Sequence, residues 1–201
     1  MVKQRSDFVR DSLDKEPKEG GKAGPRVIHF PEVDPKVFSL YQKWLYSGLI
    51  PTLLVDLKPG SDQEYKMLVQ AYILGEKLID VDFKDTVVDA ILEKLSATHS
   101  FDTKLTNLVF DETLLSEQSP LRRLWQEVYY HFGTPEWLSV PDINTSFFIE
   151  FSKFQMFARA GVVSRDSIFA RCRYHQHGDH PCYRERIRML ALSASKALVK
   201  S

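Results

Sequence analysis

A helix-dominated α/β fold with a small sheet is what the sequence predicts, on three observations. Val27, Ile28 and Phe30 make a short apolar strand, and Pro31 ends it by removing a backbone donor. Leu105–Phe110 is a second short apolar stretch of strand-like length. The longer apolar patterns all recur at helical spacing, so helices outnumber strands.

Taken in order, Asp7 to Leu13 reads as the end of a helix with Phe8, Val9 and Leu13 on its apolar side. Lys15 to Pro25, rich in Gly, Pro, Lys and Glu, is a loop. After the first strand, Asp34 is placed to cap a helix and Pro35 to occupy its first position, where a missing N–H costs nothing. Val37, Phe38, Leu40, Tyr41, Trp44 and Leu45 then repeat at helical spacing up to the stop Ser47-Gly48, and Trp44 and Leu45 are expected to be buried. Pro51 to Asp62 is a loop around Leu53-Leu54-Val55.

Glu64 to Leu78 reads as a helix burying Leu68, Ala71, Tyr72, Gly75 and Leu78. Glycine inside a helix costs about 1 kcal/mol against alanine, so Gly75 implies a close helix contact. Asp80 or Asp82 starts the next helix, with Phe83, Val87, Val88, Ile91, Leu92 and Leu95 inside. The pairs Asp80/Asp82 and Asp85/Asp89 read as caps and a solvated face. Ser119 caps a further helix, with Pro120 first and Leu121, Leu124, Trp125, Val128 and Phe132 as its apolar stripe. Arg122 and Arg123 lie off that stripe and read as solvated surface. Phe147, Phe148, Phe151 and Phe154 form one face of a docking helix, with Gly161 as its C-cap. Ile187, Leu190, Ala191, Ala194 and Leu198 make a last stripe, opposite Arg184, Arg188 and Lys196.

With 201 residues, 43% of them apolar and 27% charged, the chain has the makings of an ordinary soluble core. No apolar run approaches the ~20 residues of a bilayer span, and Met1 to Asp7 holds no apolar signal core. These features predict an intracellular protein, cytoplasmic or nuclear, without a membrane partner. The balanced net charge hides a gradient. Residues 1–26 carry seven basic and five acidic side chains, residues 159–201 nine and three, and residues 27–158 eleven and nineteen. A basic tail suits an anionic partner or the acidic body of its own fold. No aromatic-interleaved basic motif accompanies it, which argues against nucleic acid.

The ordered string from Val27 to Ile50, strand, proline, acidic cap, helix and Tyr46-Ser47-Gly48, resembles the middle of the BTB/POZ domain, a protein–protein interaction fold. The run Val109-Phe-Asp-Glu-Thr-Leu-Leu-Ser-Glu-Gln-Ser-Pro-Leu-Arg-Arg-Leu124 looks like the segment that follows the BTB core in filamentous-fungal members. The resemblance covers roughly residues 6 to 185. It implies a partial BTB/POZ domain over 1–98, lacking the N-terminal part of that fold, and a helical C-terminal extension over 99–201. The implied function is non-catalytic binding of protein partners, including self-association, with no cofactor or small-molecule substrate. A substrate-adaptor role toward a cullin-type ubiquitin ligase is the alternative the wider family raises. There a hydrophobic–x–Glu element enters a cullin groove. Fitted to that pattern, Pro17-Lys18-Glu19 keeps Glu19 but puts Pro17 in place of a larger apolar side chain. At about 25 cal/mol per Å², the smaller area forfeits roughly 1–2 kcal/mol, so cullin binding is expected to be weak or absent.

One cluster carries possible chemistry. Cys172-Arg-Tyr-His-Gln-His-Gly-Asp-His-Pro-Cys182 gathers both cysteines and three of the six histidines. Cys172, His175 and Cys182, with His177 or His180, could supply the four donors of a tetrahedral zinc site. Structural zinc sites usually separate two ligand pairs by a dozen or more residues, whereas these five candidates share one tight loop. A redox-sensitive cysteine pair and a polar surface turn therefore stand beside the metal reading, and a small zinc- or nucleic-acid-binding protein centred on the tail is the second alternative for function. The sequence holds no Gly-rich phosphate loop, Gly-x-Ser-x-Gly elbow or His-Glu-x-x-His helix, and is read as no enzyme.

Overall fold

In a computed structural model of the chain, the described residues are 32–50, 62–98, 101–139, 142–161, 164–170 and 172–189. Among them the fold is helical. Its elements are α1 (Pro35–Ser47), α2 (Asp62–Leu78), α3 (Val81–Thr98), the short α4 (Thr106–Val109), α5 (Pro120–Phe132), α6 (Thr145–Ala160) and α7 (residues 183–189). Single 3-10 turns occupy Thr103–Leu105, Pro135–Ser139 and Arg165–Phe169.

The expected α/β class is overturned, since the described residues contain no strand. The Val27–Phe30 strand lies outside them. Leu105–Phe110 is a 3-10 turn running into α4, for local reasons. The Asp102 carboxylate accepts from the Lys104 amide at 3.1 Å, and the Thr106 hydroxyl donates back to the Thr103 carbonyl at 2.7 Å. Such side-chain bonds draw the backbone into turns rather than ladders. Leu105 and Val109, four apart, both face inward as helical spacing requires.

The first helix starts and stops as its sequence dictates. Asp34 accepts from the Lys36 amide at 2.8 Å, Pro35 follows, and Gly48 closes the helix in the left-handed conformation, φ 72°. Trp44 and Leu45 are buried. The Tyr41 hydroxyl reaches the Asp80 carboxylate at 3.0 Å, which ties α1 to the start of α3. Asp80 also accepts from the Phe83 amide at 3.0 Å and so caps α3. Helix α2 packs on both α1 and α3. A Cβ on Gly75 would lie 2.6 Å from Lys84 Cγ and 3.2 Å from Phe83 Cδ1, so the glycine does permit the close α2–α3 contact.

The link between α2 and α3 is strained. The Asp80 amide donates to the Gly75 carbonyl at 3.0 Å and the Ile79 amide to the Glu76 carbonyl at 3.1 Å, the paired bonds of a Schellman stop. Glycine normally fills the left-handed position of that motif. Here Ile79 does, at φ 52°, while its side chain is 55% exposed. Left-handed backbone costs a β-branched residue roughly 1–2 kcal/mol, and glycine's greater unfolded freedom returns part of that. Ile79→Gly should therefore raise the unfolding free energy by about 0.5–1 kcal/mol. Chemical denaturation checks this, and a loss of stability would show that Ile79 makes contacts worth more than the strain.

Around α5 the core becomes aromatic. Trp125 donates through Nε1 to the Thr106 hydroxyl at 3.2 Å, and Tyr129 shares the same oxygen at 2.7 Å. Phe101, Trp137, Phe147 and Phe151 pack tilted, stacked or edge-on around them. Buried residues from Val37 to Tyr174 belong to one continuous core. Three expectations here need correction. Ser119 makes no side-chain cap; its hydroxyl donates to the Tyr72 oxygen at 3.3 Å. Gly161 ends α6 in extended rather than left-handed backbone. Phe148 leaves the inner face of α6 and is 40% exposed.

Arg122 is not surface. Its side chain is fully buried, and it donates from Nε to the Val109 carbonyl at 3.1 Å and from Nη1 to Glu150 at 2.7 Å. Helix α6 supplies that carboxylate and covers the flank of α5 that a single-helix pattern leaves to solvent. Arg123 is half exposed, as expected.

Candidate functional site

Helix α3 carries Asp82, Asp85 and Asp89 at i, i+3 and i+7, which places the three carboxylates on one stripe. The sequence pattern left that stripe in water. In the fold it receives the tail, residues 172–189. The Gln176 amide donates to Asp85 Oδ1 at 2.9 Å, and His175 Nε2 lies 3.0 Å from Asp89 Oδ1. Arg184 pairs with Asp89 at 2.7 Å, the Tyr183 hydroxyl donates to the same carboxylate, and Arg186 reaches Asp82. A second anchor lies on α5, where the Arg173 guanidinium and the Tyr174 hydroxyl (2.8 Å) both donate to Glu127. Arg173, Arg184 and Arg186 of the basic tail thus pair with the acidic body of their own chain.

The docked segment folds tightly on itself. Cys172 adopts φ 59° and Gly178 φ 55°, two left-handed turns that lie on either side of His175 and His177. Their effect is convergence. Cys172, His175, His177 and Cys182 each offer one donor atom, and no two of these atoms are more than 4.8 Å apart. Cys182 is buried and the other three are half-buried. The sulfur of Cys182 lies 3.6 Å from His175 Nδ1. His180, the fifth candidate, is exposed and outside the group. Its amide donates to the His177 carbonyl at 3.0 Å, a turn that carries the ring away.

Two hydrogen bonds set how the rings present themselves. Nε2 of His175 is bonded to Asp89, which fixes the proton there and leaves Nδ1 as the lone-pair nitrogen. Nδ1 of His177 donates to the Gly178 carbonyl at 2.9 Å, which leaves Nε2 as the free nitrogen; that atom is buried and has no hydrogen-bond partner. Asp85 Oδ2 is the other unpartnered polar atom here, 3.8 Å from His175 Nδ1. Burial pushes the Asp85 carboxyl up, to about 6, against the opposing pull of the Gln176 amide and the two histidines. Burial and the adjacent Cys182 sulfur push the Cys172 thiol up as well.

No protein-family model, curated protein or solved structure matches the chain. Among the described residues no helix is long and apolar enough to cross a membrane. Pro17 and Glu19, the positions fitted to a cullin-binding element, lie outside the described residues. Asp85, Asp89 and Tyr183 were missed as neighbours of the cluster. Their sequence signal was the acidic stripe on α3 set against a basic tail, which the charge gradient already displayed.

Proposed function

We propose that this chain is a non-catalytic protein–protein interaction module whose contact surface is the outer face of α6. The observation that carries the reading is the composition of that face. Phe148, Ile149, Met156 and Phe157 stand out from the helix, the last two 72% and 78% exposed. Single exposed apolar residues are ordinary, but four large ones along one helix make a patch of the kind that marks a binding surface. The charged residues exposed beside them on α6 are Lys153 and Arg159, both basic. The acid of the helix, Glu150, turns inward to Arg122. Like charges would meet if two such faces paired, so the occupant is a different segment, an apolar helix with acidic residues at its margins.

The direction of the Cys/His side chains supports the non-catalytic part. Cys172, His175, His177 and Cys182 face one another, and none of them lines the cavity of about 400 Å³ between Asp89, Leu92, Phe169 and Tyr183 or the smaller one of about 230 Å³ beside Val37 and Leu74.

The test is cross-linking through Lys153 in cell extract, followed by sequencing of the attached peptide. The expected peptide is apolar with acidic flanks, and Met156→Asp with Phe157→Asp should reduce its capture at least tenfold while circular dichroism stays unchanged. Capture that survives the double substitution, or a Lys153 cross-link to a second copy of this chain in its place, would overturn this surface or this occupant.

A further inference from the structure

We infer that Cys172, His175, His177 and Cys182 bind one zinc ion in a closed tetrahedral site that pins the tail onto α3. This does not rest on the α6 reading; the two surfaces share no residue. Three features of the cluster point the same way.

The first is distance. Zinc holds thiolate sulfur at ~2.3 Å and imidazole nitrogen at ~2.0–2.1 Å, so neighbouring sulfur and nitrogen corners of a tetrahedron stand about 3.5 Å apart. Cys182 Sγ and His175 Nδ1 are separated by 3.6 Å. The remaining separations are at most 4.8 Å, so the four donors would draw together by no more than roughly 1–1.5 Å to reach tetrahedral edges of about 3.8 Å between sulfurs, 3.5 Å between sulfur and nitrogen and 3.3 Å between nitrogens.

The second is ring orientation. A ligating histidine gives its other ring N–H to a carboxylate or a backbone carbonyl, which fixes the tautomer. His175 does the first, through Asp89, and His177 the second, through Gly178. The nitrogens so freed are the ones available to the cluster. A polar surface turn would have no reason to orient both lone pairs in this way.

The third is a pair of unsatisfied atoms. His177 Nε2 and Asp85 Oδ2 are two of the four buried side-chain atoms without hydrogen-bond partners among the described residues, and both lie at this one cluster. A cation at the centre of the four donors ligates the first and neutralises charge beside the second. Two sulfurs with two imidazoles select zinc over magnesium or calcium, which take oxygen donors. Four protein ligands leave no open position, and closed sites of this kind are structural.

The experiment uses the full chain. Native mass spectrometry of protein purified from zinc-supplied cells should find one zinc per chain. Replacement by cobalt should give the strong visible absorption of a tetrahedral ion together with sulfur-to-cobalt charge transfer. Cys172→Ser with Cys182→Ser should lose both signals and His180→Ala should keep both. Asp89→Asn, which weakens the support behind His175 together with the Tyr183 and Arg184 contacts, should weaken zinc binding 10–100-fold. If the cysteine variant fails to fold, the wild-type zinc content and cobalt spectrum still decide. A folded wild-type chain that carries no zinc and gives a weak, octahedral-type cobalt spectrum would overturn the inference. So would zinc that survives the loss of both cysteines, zinc that is lost with His180, or a Cys172–Cys182 disulfide as the stable form under reducing conditions.

Discussion

Trp44→Ala is expected to lower the unfolding free energy by about 3–5 kcal/mol, the range for removing a large aromatic from a packed core. Trp44 is only 1% exposed. It stacks on Tyr41 at 5.8 Å and leans on Phe83 at 5.0 Å, so one ring joins α1 to α3. Its Nε1 donates to the Thr86 hydroxyl at 3.1 Å, and that hydroxyl donates in turn to the Asp82 carbonyl at 2.7 Å. Losing the indole therefore leaves a cavity but no stranded donor, because Thr86 keeps its own partner. Trp44→Phe isolates the two contributions. It keeps most of the apolar area and removes the hydrogen bond, and should cost less than half as much. Urea titration of both variants is the measurement. A loss under 1 kcal/mol for the alanine variant would mean that the α1–α3 contact is not where the core is strongest.

Legibility in the sequence followed the range of the interactions. Much of what a few neighbouring residues set could be read: the Asp34-Pro35 start of α1, its Gly48 stop, the inner stripes of α1, α2 and α5, and the close approach at Gly75; the caps expected at Ser119 and Gly161 were the local exceptions. The other failures had two sources, a segment too short to show its period and a distant segment that decides burial. Leu105–Phe110 looked like a strand because six residues are too few for helical and extended periods to separate, and the caps at Asp102 and Thr106 settled the outcome. Arg122, Asp85 and Asp89 looked solvated because each lies off the apolar stripe of its own helix. Burial of those residues comes from α6 and from the tail, 28 residues away for Glu150 and about 90 for Gln176. No local period carries that information.

The candidate site was half legible for the same reason. Residue types named the five possible donors, and their crowding into one loop argued against a metal. Two left-handed turns, at Cys172 and Gly178, remove that objection by folding the loop back within ten residues. Which four donors meet is then decided by the turn at His180, which the composition could not show. The Asp89 and Gly178 bonds that orient the rings likewise depend on the tail meeting α3.

Glu127→Ala should cost a further 3–5 kcal/mol, for a reason unlike that of Trp44: it strands charge rather than opening a cavity. The Glu127 side chain is 1% exposed and accepts from Arg173 through Nε and Nη2, each at 3.0 Å, from the Tyr174 hydroxyl at 2.8 Å, and from Arg123 at 3.1 Å. Arg123 is half exposed and recovers water when the carboxylate goes. Arg173 and Tyr174 are on the tail side, and Tyr174 is buried, so its hydroxyl would lose a partner that water replaces only if the segment lifts. The loss should therefore couple to the Cys/His cluster, which begins one residue before Arg173. A double-mutant cycle pairing Glu127→Ala with Arg173→Ala should return an interaction of about 1.5–3 kcal/mol, as for a hydrogen bond to a charged group. Glu127→Gln keeps the shape and one acceptor, and should fall between the wild type and alanine. Amide exchange adds the structural readout: residues 172–177 should lose protection in Glu127→Ala while α1 and α2 keep theirs. Equal loss of protection across all helices would show instead that Glu127 supports the whole core, and an additive cycle would show that Arg173 is held by other contacts.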